Sequence, residues 1–87
     1  MISRTFVIKN NAGLHIKPAA LLCTEAMKYQ SSVTLSFGNT VTNAKSVINV
    51  LSACVKCNDS ITLTCEGADE QEAMENLGKL IAEGLGE

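Results

Sequence analysis

Along the first eight residues, Ile2, Phe6 and Ile8 fall on one parity and Ser3, Thr5 and Val7 on the other, the period of a half-buried strand over 2–8. The run Lys9-Asn10-Asn11-Ala12-Gly13 breaks it. Pro18 suits the first turn of a helix, where its missing N–H is not needed, and the residues from Ala19 to Lys28 favour helix, with Ala19, Leu22, Cys23 and Ala26 on one apolar stripe. From Ser32, Val33, Leu35 and Phe37 alternate with Thr34 and Ser36. That is a second strand, and Gly38-Asn39 is a two-residue turn returning the chain as a third strand over 40–43.

Ser46 ahead of Val47-Ile48-Asn49-Val50-Leu51 reads as the N-cap of a short helix that ends before Asn58-Asp59. Ile61, Leu63 and Cys65 against Thr62, Thr64 and Glu66 give a fourth strand. Asp69 and Glu72 have capping-box spacing, Met74, Leu77, Leu80 and Ile81 follow at helical period, and Gly84 marks the stop. The order is βαββαβα, an α+β class. Because the second face of the strands carries Ser and Thr, helices are expected on one side of an antiparallel sheet and water on the other.

The 87 residues hold no linker, repeat or low-complexity tract, so 1–87 reads as a single domain. At this size a large internal cavity is hard to sustain, and chemistry is expected on a surface loop or helix end. Seven basic and nine acidic residues give a net charge of -2, without the basic excess that nucleic acid requires. Asn49, Ser52 and Lys56 interrupt the longest apolar stretch, which excludes membrane insertion by that segment. The first residues lack a signal peptide's apolar segment, and a cytoplasmic protein is expected.

The only histidine, His15, stands immediately before the first long helix. A helix start presents unpaired N–H groups and a partial positive charge, so a dianionic group on His15 meets donors from Ile16 and Lys17. The same field disfavours an imidazolium and leaves the ring as a nucleophile suited to attack phosphorus. Pro18 is expected to hold Lys17 extended and aim both side chains outward, and Gly13 permits the tight path before them. By position alone, His15 reads first as an exposed loop residue near a helix start, and Lys17 as a solvating charge.

The motifs "GLHIKPAA" at 13–20 and "NAKSVINVLS" at 43–52, with the tail "GADEQEAMENLGKLIAEGLGE", resemble the HPr family of histidine-containing phosphocarriers of the bacterial phosphoenolpyruvate-dependent sugar phosphotransferase system. The resemblance spans essentially the whole chain. It implies an open-faced β-sandwich, with a four-stranded antiparallel sheet and three helices on one face. It further implies a carrier rather than an enzyme. His15 would take a phosphoryl group on Nδ1 from phosphorylated enzyme I and pass it to IIA domains, with Lys17 stabilising the phosphate. Ser46 would be the regulatory site of HPr kinase/phosphorylase, and Ile16, Lys17, Ala20, Val47, Ile48 and Leu51 would form the docking patch of a monomer. Neither a cofactor nor a metal is implied. The other reading is a regulatory HPr-like adaptor, controlled through Ser46 in a reduced phosphorelay with little or no sugar transport.

The chain departs from the family pattern at four positions. Arginine is usual where Lys17 stands, and an ammonium offers a point charge instead of a bidentate fork, a difference of roughly 1.5 kcal/mol or about tenfold in rate. Ala12 replaces a polar residue, and Asn49 and Cys54 stand where glycine is common. Cys54-Val55-Lys56-Cys57 has the spacing of a dithiol or half a metal site. No second pair accompanies it, so the two read first as packing and loop residues. Cys23 and Cys65 fall on inward positions and read as buried thiols.

Overall fold

Periodicity places all seven elements correctly in the computed structural model, which describes residues 1–87. They are β1 (Ile2–Val7), α1 (Ile16–Ala26), β2 (Ser32–Phe37), β3 (Thr40–Asn43), α2 (Val47–Ser52), β4 (Ser60–Glu66) and α3 (Glu70–Ala82). β1 ends one residue before the expected boundary. Ile8 nevertheless continues the pairing, donating to the Asp59 carbonyl at 2.9 Å and accepting from Asn58 N–H at 2.6 Å, and is fully buried.

The strands lie in the order β1-β4-β2-β3, every neighbour antiparallel. Alternation then sends Val33, Leu35, Ile61, Leu63 and Cys65 inward, where α1 packs on α2 and α3 and α3 lies over β1 and β4. Full burial of Leu22, Leu63 or Leu77 contributes about 1.5–3 kcal/mol each relative to exposure. The opposite face carries hydroxyl pairs, Ser3 with Thr64 at 2.8 Å and Thr5 with Thr62 at 3.1 Å. It is not wholly Ser and Thr. Val41, across from Ser36, is 68% exposed there, and Val7 is 43% exposed. No helix is long and apolar enough to cross a membrane.

The expected capping box at α3 does not form. Asp69 is the N-cap residue, but its side chain makes no cap bond. Its carboxylate instead accepts from Gln30 N–H and Ser31 N–H, each at 2.9 Å, and from the Ser31 hydroxyl, tying the α1–β2 connection to the start of α3. Glu70, not Glu72, reaches back to the backbone, accepting from Gly67 N–H at 3.1 Å. The Ser31 hydroxyl first and then the two backbone donors hold the Asp69 carboxyl down at about 2, from its usual 3.8. A depressed carboxyl stabilises the fold above its unfolded value and loses that contribution as protons return. Asp69→Asn is therefore expected to lower the thermal midpoint at neutral pH, and acid titration to show the difference vanishing as pH falls from about 4 towards 2.

α3 stops at Gly84 as expected, and the geometry of the stop sets the path of the tail. Gly84 at φ +93 donates to the Ile81 carbonyl at 3.1 Å, and Leu85 N–H to the Leu80 carbonyl at 3.0 Å, the two bonds of a Schellman turn. Leu85 is thereby folded into the core with no exposed surface, which directs Glu87 back across the molecule.

At the end of α2, Cys54 takes φ +57, the left-handed region that an L side chain enters at a cost of roughly 1–2 kcal/mol. This explains physically why glycine suits the position. Cys54→Gly is expected to raise stability by about 0.5–1 kcal/mol after the entropy of the unfolded glycine is counted, measurable as a higher denaturant midpoint with unchanged slope.

Candidate functional site

The loop between β1 and α1 is shaped by its own turn and by the segment beneath it. Gly13 N–H donates to the Asn10 carbonyl at 2.8 Å, and Leu14 N–H to the Val55 carbonyl at 3.0 Å. Gly13 has φ +67, and a β-carbon there would overlap the Val55 carbonyl oxygen and lie 2.6 Å from Lys56 Cα. Both its torsion and its contact require glycine. Leu14 is buried, so the loop is pinned at the residue before the histidine.

His15 is the N-cap residue of α1, with extended backbone at φ -77 and ψ -170. Its carbonyl accepts Ala19 N–H at 3.0 Å, while its side chain makes no cap bond to the helix. Ile16 and Lys17 N–H have no protein acceptor, and Pro18 has no N–H to satisfy. Two donors therefore remain at the helix start beside the ring, as expected. Lys17 is not extended, however. It lies within the first helical turn, which the Ala19–His15 bond closes around it. That closure outweighs the preference a following proline imposes.

The far nitrogen of the ring is occupied by a residue 72 positions away in sequence. His15 Nε2 is 2.8 Å from Glu87 Oε2, while Asn10 Nδ2 donates to Glu87 Oε1 at 2.7 Å and to the Gly84 carbonyl at 2.9 Å. Donation from Asn10 first, and then from His15, holds the Glu87 carboxyl below the usual range. An ionised carboxylate only accepts hydrogen bonds, so Nε2 carries the hydrogen and, in the neutral ring, Nδ1 carries the free lone pair. The tautomer follows from the contact. Asn10 is only 8% exposed, and its two bonds join the loop to the turn after α3.

A cleft of about 570 Å³ opens beside the ring, lined by Lys9, Asn10, Asn11, Ala12, His15, Gly84 and Glu87. Lys17 is exposed, and its stem runs beside Gly86. It makes no ion pair, so its ammonium is available to an anion. No cluster of three His, Cys, Asp or Glu side chains is placed to hold a metal ion.

Ser46 is the N-cap of α2, its Oγ accepting Asn49 N–H at 3.3 Å. Of the docking candidates, Ile16 is 62% and Ile48 75% exposed. Val47 and Leu51 are half-buried and pack on the core, which is sealed from α2 mainly by Val50, and Ala20 is half-buried on α1. The apolar surface thus lies on α1 and α2, which pack against each other, with Ile16 adjoining the histidine in sequence.

Asn10 and Glu87 are the members of the site that sequence reasoning misses. Asn10 looks like one more turn residue, and Glu87 like a solvated tail. The Schellman turn at Gly84 is the one local signal that the tail reverses.

An α+β open sandwich with a tautomer-fixed histidine at a helix start, beside free N–H groups and an unpaired lysine, has the makings of a phosphohistidine protein. The chain belongs to the HPr family, whose model, described as the PTS HPr component phosphorylation site, matches residues 2–83. It is 44% identical over 69 residues to the phosphocarrier protein HPr of Mycoplasma genitalium, covering 78% of each chain. It is 43% identical over 86 residues to the multiphosphoryl transfer protein of Vibrio cholerae, covering 95% of this chain but 22% of that larger protein. Among solved structures, HPr-C-His of Thermoanaerobacter tengcongensis superposes with a TM-score of 0.96 at 39% identity, over 100% of this chain and 98% of that one.

Proposed function

We propose that this chain accepts a phosphoryl group on His15 Nδ1 from phosphorylated enzyme I and passes it to IIA domains, acting as a carrier. The observation that carries this reading is the Glu87 contact at Nε2, which leaves Nδ1 as the nucleophile beside the Ile16 and Lys17 N–H groups. In the transfer, the Nδ1 lone pair forms a bond to phosphorus as the bond from phosphorus to the donor breaks. Positive charge that develops on the ring is met by the Glu87 carboxylate through Nε2–H. The departing donor leaves three phosphoryl oxygens facing the helix N–H groups and the Lys17 ammonium. Transfer onward is the same step in reverse, with a IIA nucleophile attacking phosphorus and Nδ1 recovering its lone pair. All of these groups come from one chain, so a monomer suffices.

Ile16, Ala20, Val47, Ile48 and Leu51 supply an apolar surface for either partner, and Ser46 is the site for HPr kinase/phosphorylase. The adaptor reading needs an idle histidine. A ring held through Glu87 and Asn10 favours the carrier. The test is incubation with enzyme I and phosphoenolpyruvate, which is expected to give acid-labile, base-stable phosphate on the chain; a chain that remains unlabelled overturns the proposal.

Lys17→Arg is expected to raise the rate of transfer to a IIA acceptor by up to about tenfold, because a guanidinium forks onto two phosphoryl oxygens. Rapid-quench kinetics decide it. An unchanged rate would mean that the Ile16 and Lys17 N–H groups already satisfy the phosphate.

A further inference from the structure

The Cys-x-x-Cys segment has no part in phosphoryl transfer itself, yet it lies directly under the active-site loop. Val55, between the two cysteines, is buried and accepts Leu14 N–H, and the Val55-Lys56 backbone is the surface on which Gly13 rests. Cys57 Sγ lies 3.7 Å from the Lys9 carbonyl, at the other end of the same loop. Its accessibility also sets this pair apart. Cys54 is exposed and Cys57 partly exposed, whereas Cys23 and Cys65 are buried, and burial pushes both of those thiols up. Cys54 further keeps its β-carbon in a left-handed conformation, where it adds nothing to the core.

We infer that Cys54 and Cys57 form a reversible dithiol that low-molecular-weight disulfides oxidise, and that the resulting Cys54–Cys57 bond slows phosphoryl acceptance at His15. Cys54, the exposed member, attacks as its thiolate. One sulfur of the small disulfide bonds to Cys54 and the other leaves as a thiolate, which takes up the proton that Cys54 released. The Cys57 thiolate then attacks the Cys54 sulfur and expels the second small thiol. The protein loses two electrons and two protons, and one small disulfide becomes two thiols. Excess thiol reverses both steps. Closing the ring draws Cys54 and Cys57 together across Val55 and Lys56, so the carbonyl that anchors Leu14 and the backbone beneath Gly13 must move. The loop carrying His15 moves with them. Because a shift of about 1 Å at a reacting group can cost two orders of magnitude, a loss of about tenfold or more is expected.

The effect on transfer rests on the phosphoryl-acceptor reading, while the thiol chemistry does not. The full chain is equilibrated with oxidised glutathione, desalted and divided. Tryptic mapping under non-reducing conditions is expected to join the peptide ending at Lys56 to the peptide beginning at Cys57, and Cys57→Ser to retain glutathione on Cys54 instead. Cys54→Ser should yield neither species. Amide exchange at Leu14 should quicken in the oxidised chain and recover with dithiothreitol. Acceptance from phosphorylated enzyme I should fall about tenfold or more on oxidation, recover on reduction, and stay constant in Cys54→Ser. A wild-type chain that forms no cross-link overturns the dithiol, and a cross-linked chain with unchanged Leu14 exchange overturns the coupling. If the reduced chain accepts no phosphate at all, the carrier reading fails, and mapping and exchange still decide the thiol proposal.

Discussion

His15→Ala is expected to lose phosphoryl acceptance completely while remaining folded. The chain has one histidine, and the other amine lining the cleft, Lys9, is an ammonium with no lone pair to attack phosphorus while it stays protonated. Glu87 keeps its bond from Asn10, and Asn10 keeps its bond to the Gly84 carbonyl, so removing a ring that is partly exposed leaves the loop anchored. The measurement is acid-labile label from phosphoenolpyruvate through enzyme I, with circular dichroism confirming the fold. Label persisting on the variant moves the acceptor elsewhere.

Ser46→Asp is expected to raise the apparent Michaelis constant of enzyme I for this chain several-fold, and to leave the thermal midpoint equal or slightly higher. Aspartate replaces serine well at an N-cap, and the first turn of α2 contains no acidic residue to oppose it. Lys45 donates to the Tyr29 carbonyl at 2.7 Å, and its ammonium is held there rather than at the helix start. The added charge stands two residues before Ile48 and five before Leu51, beside a surface that partner docking is expected to desolvate. Phosphoserine, with more charge, is expected to act more strongly than the aspartate. A variant that melts markedly earlier, or that docks as well as the parent, makes Ser46 a structural cap alone.

The fold was legible because its signals are local. Alternation of Val33, Leu35 and Phe37 with Thr34 and Ser36, the Gly38-Asn39 turn, and the stripe of Ala19, Leu22, Cys23 and Ala26 each need only a few neighbouring residues. Where a distant partner competes, local reading fails. Asp69 has the spacing of a cap but finds better donors in Gln30 and Ser31, 39 and 38 residues away. Lys17 precedes a proline yet is drawn into the turn that His15 and Ala19 close. At the site, the place of His15 at a helix start and the free N–H donors that follow it were legible from position, and Gly13 from its place ahead of them, whereas the role of the ring came from the motif around it. Glu87 was not, because its contact depends on the Schellman turn, on burial of Leu85 and on a bridging asparagine from the opposite end of the chain. The same distance hid the contact between Gly13 and the Val55-Lys56 backbone.

Glu87 occupies Nε2 of the ring, and the carrier reading stands or falls on Nδ1 taking the phosphoryl group. Nitrogen-15 and phosphorus-31 NMR of the ring-labelled chain, recorded after incubation with enzyme I and phosphoenolpyruvate, distinguishes the two nitrogens. Phosphorus coupled to Nδ1, with Nε2 still protonated, is the expected result. Phosphorus on Nε2, or none on His15, would refute the assignment.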